Sequence, residues 1–149
     1  MRQNQRPNLM TRKKNLPSAG DAFAFRLENG MYGACRVLRF SEKDCDDKWS
    51  CNGVLVACCA WIGNTIPDPK DIDLKPILRL THHHWNSECV NWLTSPITNS
   101  FIHIGTITPS SSELTRPCNS TVKWSYFPIQ RLSQWTWDND FDTERNTQK

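Results

Sequence analysis

Two short runs of apolar residues near the amino end are separated by an Asn-Gly dipeptide. The runs cover residues 22–27 and 31–38, and Asn29 and Gly30 lie between them. Asn and Gly tolerate positive φ angles, which a type I′ turn requires at both of its central positions. The pattern predicts a β-hairpin that pairs Leu27 with Tyr32, Phe25 with Ala34 and Ala24 with Cys35.

The longest apolar run covers residues 54–62 and contains no charged residue. Its length and its valines favour a central strand that is covered on both faces. We predict further strands at 76–81, 89–93, 101–107 and 121–127. In the last of these segments Val122, Trp124 and Tyr126 alternate with polar residues, which is typical of a half-buried strand.

Two short segments predict helices. Ser110 and Glu113 have the spacing of a capping box, and Ile129, Leu132 and Trp135 lie on one helical face after Pro128. The predicted fold class is therefore mainly β, a strongly bent antiparallel sheet or partly closed barrel with one to three short helices. An α+β arrangement is the alternative.

The chain has 149 residues, which suits one domain. Its net charge of +3 is unevenly distributed, because residues 1–14 hold five of the 18 bases and no acid. The rest of the chain contains the other 13 bases and all 15 acids, which gives it a net charge of −2. We predict a basic disordered tail at 1–15, a β-rich domain at 16–137 and an acidic, polar tail at 138–149.

Composition also bears on the compartment. No run of 18 apolar residues predicts a membrane span, and the amino end lacks the apolar segment of a secretory signal. The seven cysteines form an odd number without a regular spacing, which favours free, mostly buried thiols over a disulfide framework. We expect a cytoplasmic protein that is a monomer or a weak dimer.

Three consecutive histidines precede Trp85. If this segment is extended, His82 and His84 share one face, where Cys89 or the pair Cys58 and Cys59 could complete a zinc site. The paired short spacing of most zinc sites is missing, so polar and stacking contacts beside Trp85 are the favoured interpretation. A small zinc-dependent enzyme remains an alternative, but we expect no enzyme activity and no cofactor.

Aromatic residues interleaved with bases are a second candidate, since such side chains can stack on single-stranded bases. Trp124, Tyr126 and Lys123 form the best example. Together with the basic tail they leave a nucleic-acid-binding β-barrel as an alternative. Core packing is the stronger interpretation of these rings, because the predicted domain is not basic.

Several segments together resemble the immunity protein 26 family, whose members are antidotes to bacterial polymorphic toxins. They comprise residues 20–25 (GDAFAF), 29–38 (NGMYGACRVL), 54–62, 80–85 (LTHHHW) and 90–93 (VNWL). The resemblance extends from residue 20 to residue 105. It implies stoichiometric binding and inhibition of a cognate toxin domain.

Acidic residues are concentrated in residues 41–75, where seven acids face four lysines, a net charge of −3. Many intracellular toxins attack nucleic acids through basic clefts, which a negative surface would complement. We therefore expect this region to contact the toxin, with a tryptophan as aromatic anchor. The expected contact residues are Asp44, Asp46, Asp47, Trp49, Asp68 and Asp71.

Overall fold

The computed structural model describes residues 16–41 and 53–147, with the side chains of all of these except His84 and residues 141–147. The predicted basic tail at 1–15 lies outside the described residues. Those residues form seven strands, two α-helices and a 3₁₀ turn at His82–His84. The elements are β1 (Asp21–Arg26), β2 (Tyr32–Ser41), β3 (Gly53–Gly63), β4 (Arg79–Leu80), β5 (Ser87–Glu88), β6 (Val90–Leu93), β7 (Ile102–Thr106), α1 (Ser111–Leu114) and α2 (Tyr126–Thr147).

Five of the strands form one antiparallel sheet in the order β6-β3-β2-β1-β7, and β4 pairs with β5 in a separate small sheet. The long strands β2 and β3 pair with two shifts of register, after Gly33 and after Val37. Such bulges increase the local twist and bend a sheet. The mainly β, bent-sheet prediction is confirmed, and β6 and β7 remain opposite edges of the sheet in the described part of the chain.

The hairpin between β1 and β2 is present, but its predicted register is wrong by one residue. Arg26 lies opposite Tyr32, and the amide of Leu27 donates to the carbonyl of Met31 at 2.8 Å. The loop therefore contains three residues, ending at Gly30 with φ +91°. A three-residue loop needs only its last residue at positive φ, so Asn29 keeps a negative φ.

The observed register gives Gly33 a packing role. Gly33 lies opposite Phe25, and a Cβ atom on Gly33 would approach the Phe25 ring to 2.6 Å. The missing side chain therefore leaves room for the aromatic ring beneath α2.

Asp21 fixes the entry to β1 through its side chain. The Oδ2 atom of Asp21 accepts the backbone N–H of Ser18, three residues earlier, at 2.9 Å, and the amide of Asp21 donates to the carbonyl of Ser18 at 3.0 Å. Gly20 precedes it at φ +94°. Both residues shape the chain where it enters the sheet.

Both faces of the central sheet are covered, as predicted for residues 54–62. One face carries the large core, which packs against Trp124 and Phe127; its sheet residues include Phe23, Phe25, Cys35, Val37, Val56 and Cys58. The opposite face packs against the segments near Leu74 and Ile107, and it carries Ala22, Ala34, Leu38, Leu55 and Ala57.

The strand predicted at 121–127 is wrong. Only Thr121 bridges to the sheet, beside Trp92, and α2 begins at Tyr126. The chain turns because the amide of Tyr126 donates to the carbonyl of Lys123 at 2.9 Å. Pro128 suits the first turn of a helix, where its missing N–H leaves no hydrogen bond unmade.

The predicted inward face of α2 is also wrong at one end. Ile129 is 58% exposed, whereas Phe127, Arg131 and Gln134 are buried. The tertiary contacts thus turn two polar side chains inward, Arg131 toward the sheet and Gln134 toward the 3₁₀ turn, where an apolar pattern would not place them. The helix also continues through residues 138–147, for which the sequence predicts an acidic tail.

The described cysteines are free thiols, and Cys35, Cys58, Cys59 and Cys89 are buried among them. Burial raises the pKa of Cys35 and of Cys59. The pKa of Cys58 is raised mainly by its hydrogen bond with Cys89, and burial adds to this effect. These thiols act as small apolar residues, as expected. Within the described residues, we find no helix whose length and apolar character would let it span a bilayer.

Candidate functional site

The predicted contact residues Asp68 and Asp71 are brought together on one exposed turn, which we call the acidic turn (residues 68–75). The carbonyl oxygen of Asp68 accepts the amide of Asp71 at 2.9 Å, and its carboxylate accepts the amide of Lys70 at 3.0 Å. Asp73 accepts the amide of Lys75 in the same way at 3.1 Å. These local bonds give the turn a fixed backbone conformation.

Arg36 anchors the carboxyl end of the acidic turn to the sheet. Its side chain on β2 is buried at 1% exposure, and Nε donates to the carbonyl of Leu74 at 3.2 Å. Nη2 donates to the carbonyl of Lys75. A buried guanidinium therefore holds two successive carbonyl groups of the turn.

The charge of Arg36 is balanced by Glu113 on α1. The guanidinium nitrogens Nη1 and Nη2 donate to the two carboxylate oxygens at 2.8 and 2.7 Å. Burial is the largest single effect on the pKa of Arg36 and lowers it, but the hydrogen bond to Glu113 and the nearby negative charges together leave this pKa above its ordinary value. The same bond lowers the pKa of Glu113.

Glu113 also completes the predicted capping box, which is confirmed. Its amide donates to the Ser110 hydroxyl at 3.3 Å, and its carboxylate accepts the Ser110 amide at 3.1 Å. The sequence predicts this local bond but gives no sign of the partner on β2. Arg36 itself was visible only as a charged residue between Cys35 and Val37 in a predicted strand.

A second arginine on β2, Arg39, holds the segment that follows α1. Arg39 lies over the ring of Trp92, 4.8 Å from its centroid, and donates to the carbonyl of Arg116 at 2.9 Å. Arg116 in turn pairs with Glu88. The segment that carries α1 is thus fixed to the sheet on both sides.

A second feature lies between the 3₁₀ turn and α2. It is a groove of about 660 Å³, which we call the aromatic groove. Its lining consists of His82, His83, Leu132, Ser133, Thr136, Trp137 and Asp140. Of these residues, only His82 is a candidate ligand on sequence grounds.

The aromatic groove contains the rings of His82, His83 and Trp137, and the ring of Trp85 lies beside them. Ring centroids are 5.0 Å apart between Trp85 and His82, and 5.2 Å apart between His82 and His83. The ring of His83 lies 5.9 Å from that of Trp137. The ring contacts predicted beside Trp85 are therefore present, with His82 and Trp85 tilted by 53° and not stacked, and they extend onto α2.

Gln134 fixes the 3₁₀ turn against α2. Its side-chain oxygen accepts the amides of Thr81 and His82 at 2.7 and 3.0 Å. Its side-chain nitrogen donates to the hydroxyl of Thr81 at 2.7 Å and to Asp138 at 2.9 Å. Since Gln134 is only 2% exposed, this buried amide has a partner for each of its polar atoms.

The side-chain amide of Gln134 also contacts the ring of His82. Its Nδ1 atom lies 3.0 Å from the side-chain oxygen of Gln134, and an amide oxygen only accepts hydrogen bonds. In the tautomer that donates this hydrogen bond, Nδ1 carries the proton, so the interaction uses one of the two nitrogens that a metal could bind.

The extended conformation on which the zinc prediction depends is not observed. The histidines form a 3₁₀ turn in which His83 has φ 57° and ψ 29°, so residues 82 and 84 do not share the face of a strand. In the part of the chain that the structure describes, no three His, Cys, Asp or Glu side chains are grouped as metal ligands. A left-handed conformation is costly for a residue other than glycine, and here it turns the ring of His83 toward Trp137.

The aromatic set proposed for nucleic acid is not brought together as a surface. Trp124 is 2% exposed, and its Nε1 donates to the carbonyl of Ser95 at 2.8 Å. Tyr126 packs partly against the same core, and burial raises its pKa. Of the three residues, only Lys123 is exposed, so these rings are not available for stacking on bases.

Arg131 is a further buried group that the sequence did not indicate. It is 4% exposed, and its Nε and Nη1 atoms have no hydrogen-bond partner among the described residues. Burial lowers its pKa. Its aliphatic part lies against Gly33, where a Cβ atom would approach its Cγ atom to 3.0 Å, so this arginine acts partly as a packing residue.

The remaining expected contacts lie outside the described residues, namely Asp44, Asp46, Asp47 and Trp49. Comparison with known proteins gives no further guide, since no family model, curated protein or solved structure matches this chain. The resemblance of residues 20–105 to an immunity family therefore stays a prediction.

Proposed function

We propose that the protein is an immunity protein, which binds a cognate bacterial toxin domain and neutralises it stoichiometrically without catalysing a reaction. The observation that supports this proposal best is the anchored acidic turn. Asp68 and Asp71 are exposed there, while buried Arg36 holds the backbone of the same turn. The toxin would meet a negatively charged surface whose shape is already set.

Two physical effects make such a turn suitable for inhibition. A surface that is rigid before binding loses less conformational entropy when the complex forms. Negative charge opposite the basic cleft of a toxin that attacks nucleic acids speeds association and improves selectivity. The acids at 44, 46 and 47, with Trp49, belong to the same proposed interface.

The test begins with the gene next to the one for this protein. A large secreted protein encoded there would supply its variable carboxyl-terminal domain as the candidate toxin. We expect co-expression to restore growth of cells that make this domain, and size-exclusion chromatography with light scattering to give a complex of one to one. Lack of both growth rescue and complex formation would overturn the proposal.

The contribution of the acidic turn is tested by a pair of matched charge reversals. Asp71→Lys and Glu28→Lys change the net charge equally, and both residues are exposed, but Glu28 lies in the β1–β2 loop. We expect Asp71→Lys to slow association with the toxin domain about tenfold at low salt and Glu28→Lys to leave it almost unchanged. Equal effects of the two substitutions would show that only the overall charge matters.

A further inference from the structure

We infer that the aromatic groove binds an arginine side chain that a protein partner presents on an exposed segment. This binding site is separate from the acidic turn, and the inference does not depend on the toxin proposal. It rests on the rings, the carboxylates and the rigidity of the groove.

The rings provide the surface on which a guanidinium stacks. Trp137 and His83 line the groove, with centroids 5.9 Å apart, and Trp85 is 46% exposed beside His82. A guanidinium is planar and weakly hydrated, so it is attracted to aromatic faces more readily than an ammonium group.

Carboxylates provide the opposite charge. Asp140 lines the groove, and Asp138 lies one residue beyond Trp137, where it accepts a hydrogen bond from Gln134. No lysine or arginine is among the described residues that line the groove. This charge disfavours a nucleic acid phosphate and favours a cation that can form two parallel hydrogen bonds to a carboxylate.

The volume and lining of the groove suit an arginine together with its neighbours in a peptide segment. Its volume of about 660 Å³ is within the range of about 300–1,000 Å³ found for ligand sites. Leu132 contributes apolar surface to the lining, which suits the aliphatic residues on either side of an arginine.

The groove is also rigid before any partner arrives. The buried amide of Gln134 fixes the backbone at Thr81 and His82, and the left-handed conformation of His83 directs its ring toward α2. A preformed site of this kind loses little entropy on binding, which is consistent with a role in recognition.

The test is an NMR titration of the ¹⁵N-labelled full-length chain with three blocked peptides, Ac-Gly-Leu-Xaa-Leu-Gly-NH₂. Xaa is arginine, its uncharged analogue citrulline, or glutamate. We expect the arginine peptide to shift the indole N–H signals of Trp137 and Trp85 and the amide signals of residues 81–85. The glutamate peptide should leave these signals unchanged, and citrulline should bind about tenfold more weakly than arginine.

Two variants locate the binding. Asp140→Asn should weaken the arginine peptide about tenfold, while Glu28→Gln, the same change at another exposed carboxylate, should have no effect. Trp137→Leu identifies the indole signal and should abolish the response, with unchanged sheet amide signals as the check on folding. Equal binding of all three peptides, shifts away from the groove, or no shifts would overturn the inference.

One further measurement separates a partner from the chain's own basic segment. Residues 2–14 hold five bases, so a chain without residues 2–15 is titrated in parallel. Similar affinity of both chains supports an external partner. If the arginine peptide binds only after the deletion, the chain's own segment occupies the groove and the assignment to a partner is wrong.

Discussion

Arg36 on β2 and Glu113 on α1 are 77 residues apart in the sequence, and they form two parallel hydrogen bonds of 2.8 and 2.7 Å. The same guanidinium holds the carbonyl groups of Leu74 and Lys75. One buried side chain therefore joins the sheet, the acidic turn and a short helix that has no buried residues of its own.

We predict that Arg36→Met destabilises the fold by about 3 kcal/mol, the lower end of the cost of removing one partner of a buried ion pair. The lower end applies because Glu113 retains 18% side-chain exposure and can regain contact with water. The measurement is urea unfolding followed by circular dichroism. Arg79→Met at an exposed arginine is the control, and equal losses in both variants would contradict a special role of Arg36.

The pKa of Glu113 predicts a dependence of stability on pH. Because the bond to Arg36 lowers this pKa in the fold, the folded state binds the proton less readily than the unfolded state. The resulting stability is present above the ordinary glutamate pKa and is lost as the pH falls through the lower, folded value. Melting temperatures between pH 6 and pH 3 should fall less steeply for Glu113→Gln than for the native chain, and parallel curves would reject this assignment.

Gly30 provides a test of the three-residue hairpin loop. At φ +91°, a residue with a Cβ atom costs about 1–2 kcal/mol, and a β-branched residue is the least suitable. We expect Gly30→Val to lower the free energy of unfolding by at least this amount. Gly30→Asn should lose less, since Asn tolerates positive φ, and an unchanged melting temperature for Gly30→Val would reject the turn.

The buried thiols should be unreactive in the folded protein. Cys35, Cys58 and Cys59 are buried with raised pKa values, and Cys89 is buried as well. A thiol reacts mainly as its thiolate and only where a reagent can reach it. With Ellman's reagent at neutral pH, we expect no more than three of the seven cysteines to react quickly. All seven should react in guanidinium chloride, and a fourth fast thiol in the native protein would contradict the described core.

Local patterns in the sequence predicted much of this fold. The apolar run at 54–62, the capping box at Ser110 and the existence of the first hairpin depend on neighbouring residues, and the structure contains all three. The register of that hairpin could not be predicted from the same local pattern. Two-residue and three-residue loops both accept Asn29 and Gly30, and the choice depends on how Phe25 packs over Gly33.

Contacts between distant residues explain what the sequence did not predict. The alternation at 121–127 resembles a strand, but burial of Trp124 and Phe127 under the start of α2 outweighs it. The aromatic groove combines the 3₁₀ turn with residues about 50 positions later in α2. No periodic pattern in the sequence predicts a contact between segments so far apart. In addition, Gln134 and Arg131 occupy inward positions of α2, where an apolar residue is normally expected.

The amide of Gln134 has a consequence for variation among distant relatives of this chain. A glutamate here would place a second acceptor against Asp138, and a leucine would leave the amides of Thr81 and His82 unpaired in a buried site. Neither replacement is tolerable unless the turn changes as well. The residue at this helical position and the Thr-His pair of the turn should therefore be inherited together, and their joint presence would be a sensitive marker of common descent in chains that otherwise have few identical residues.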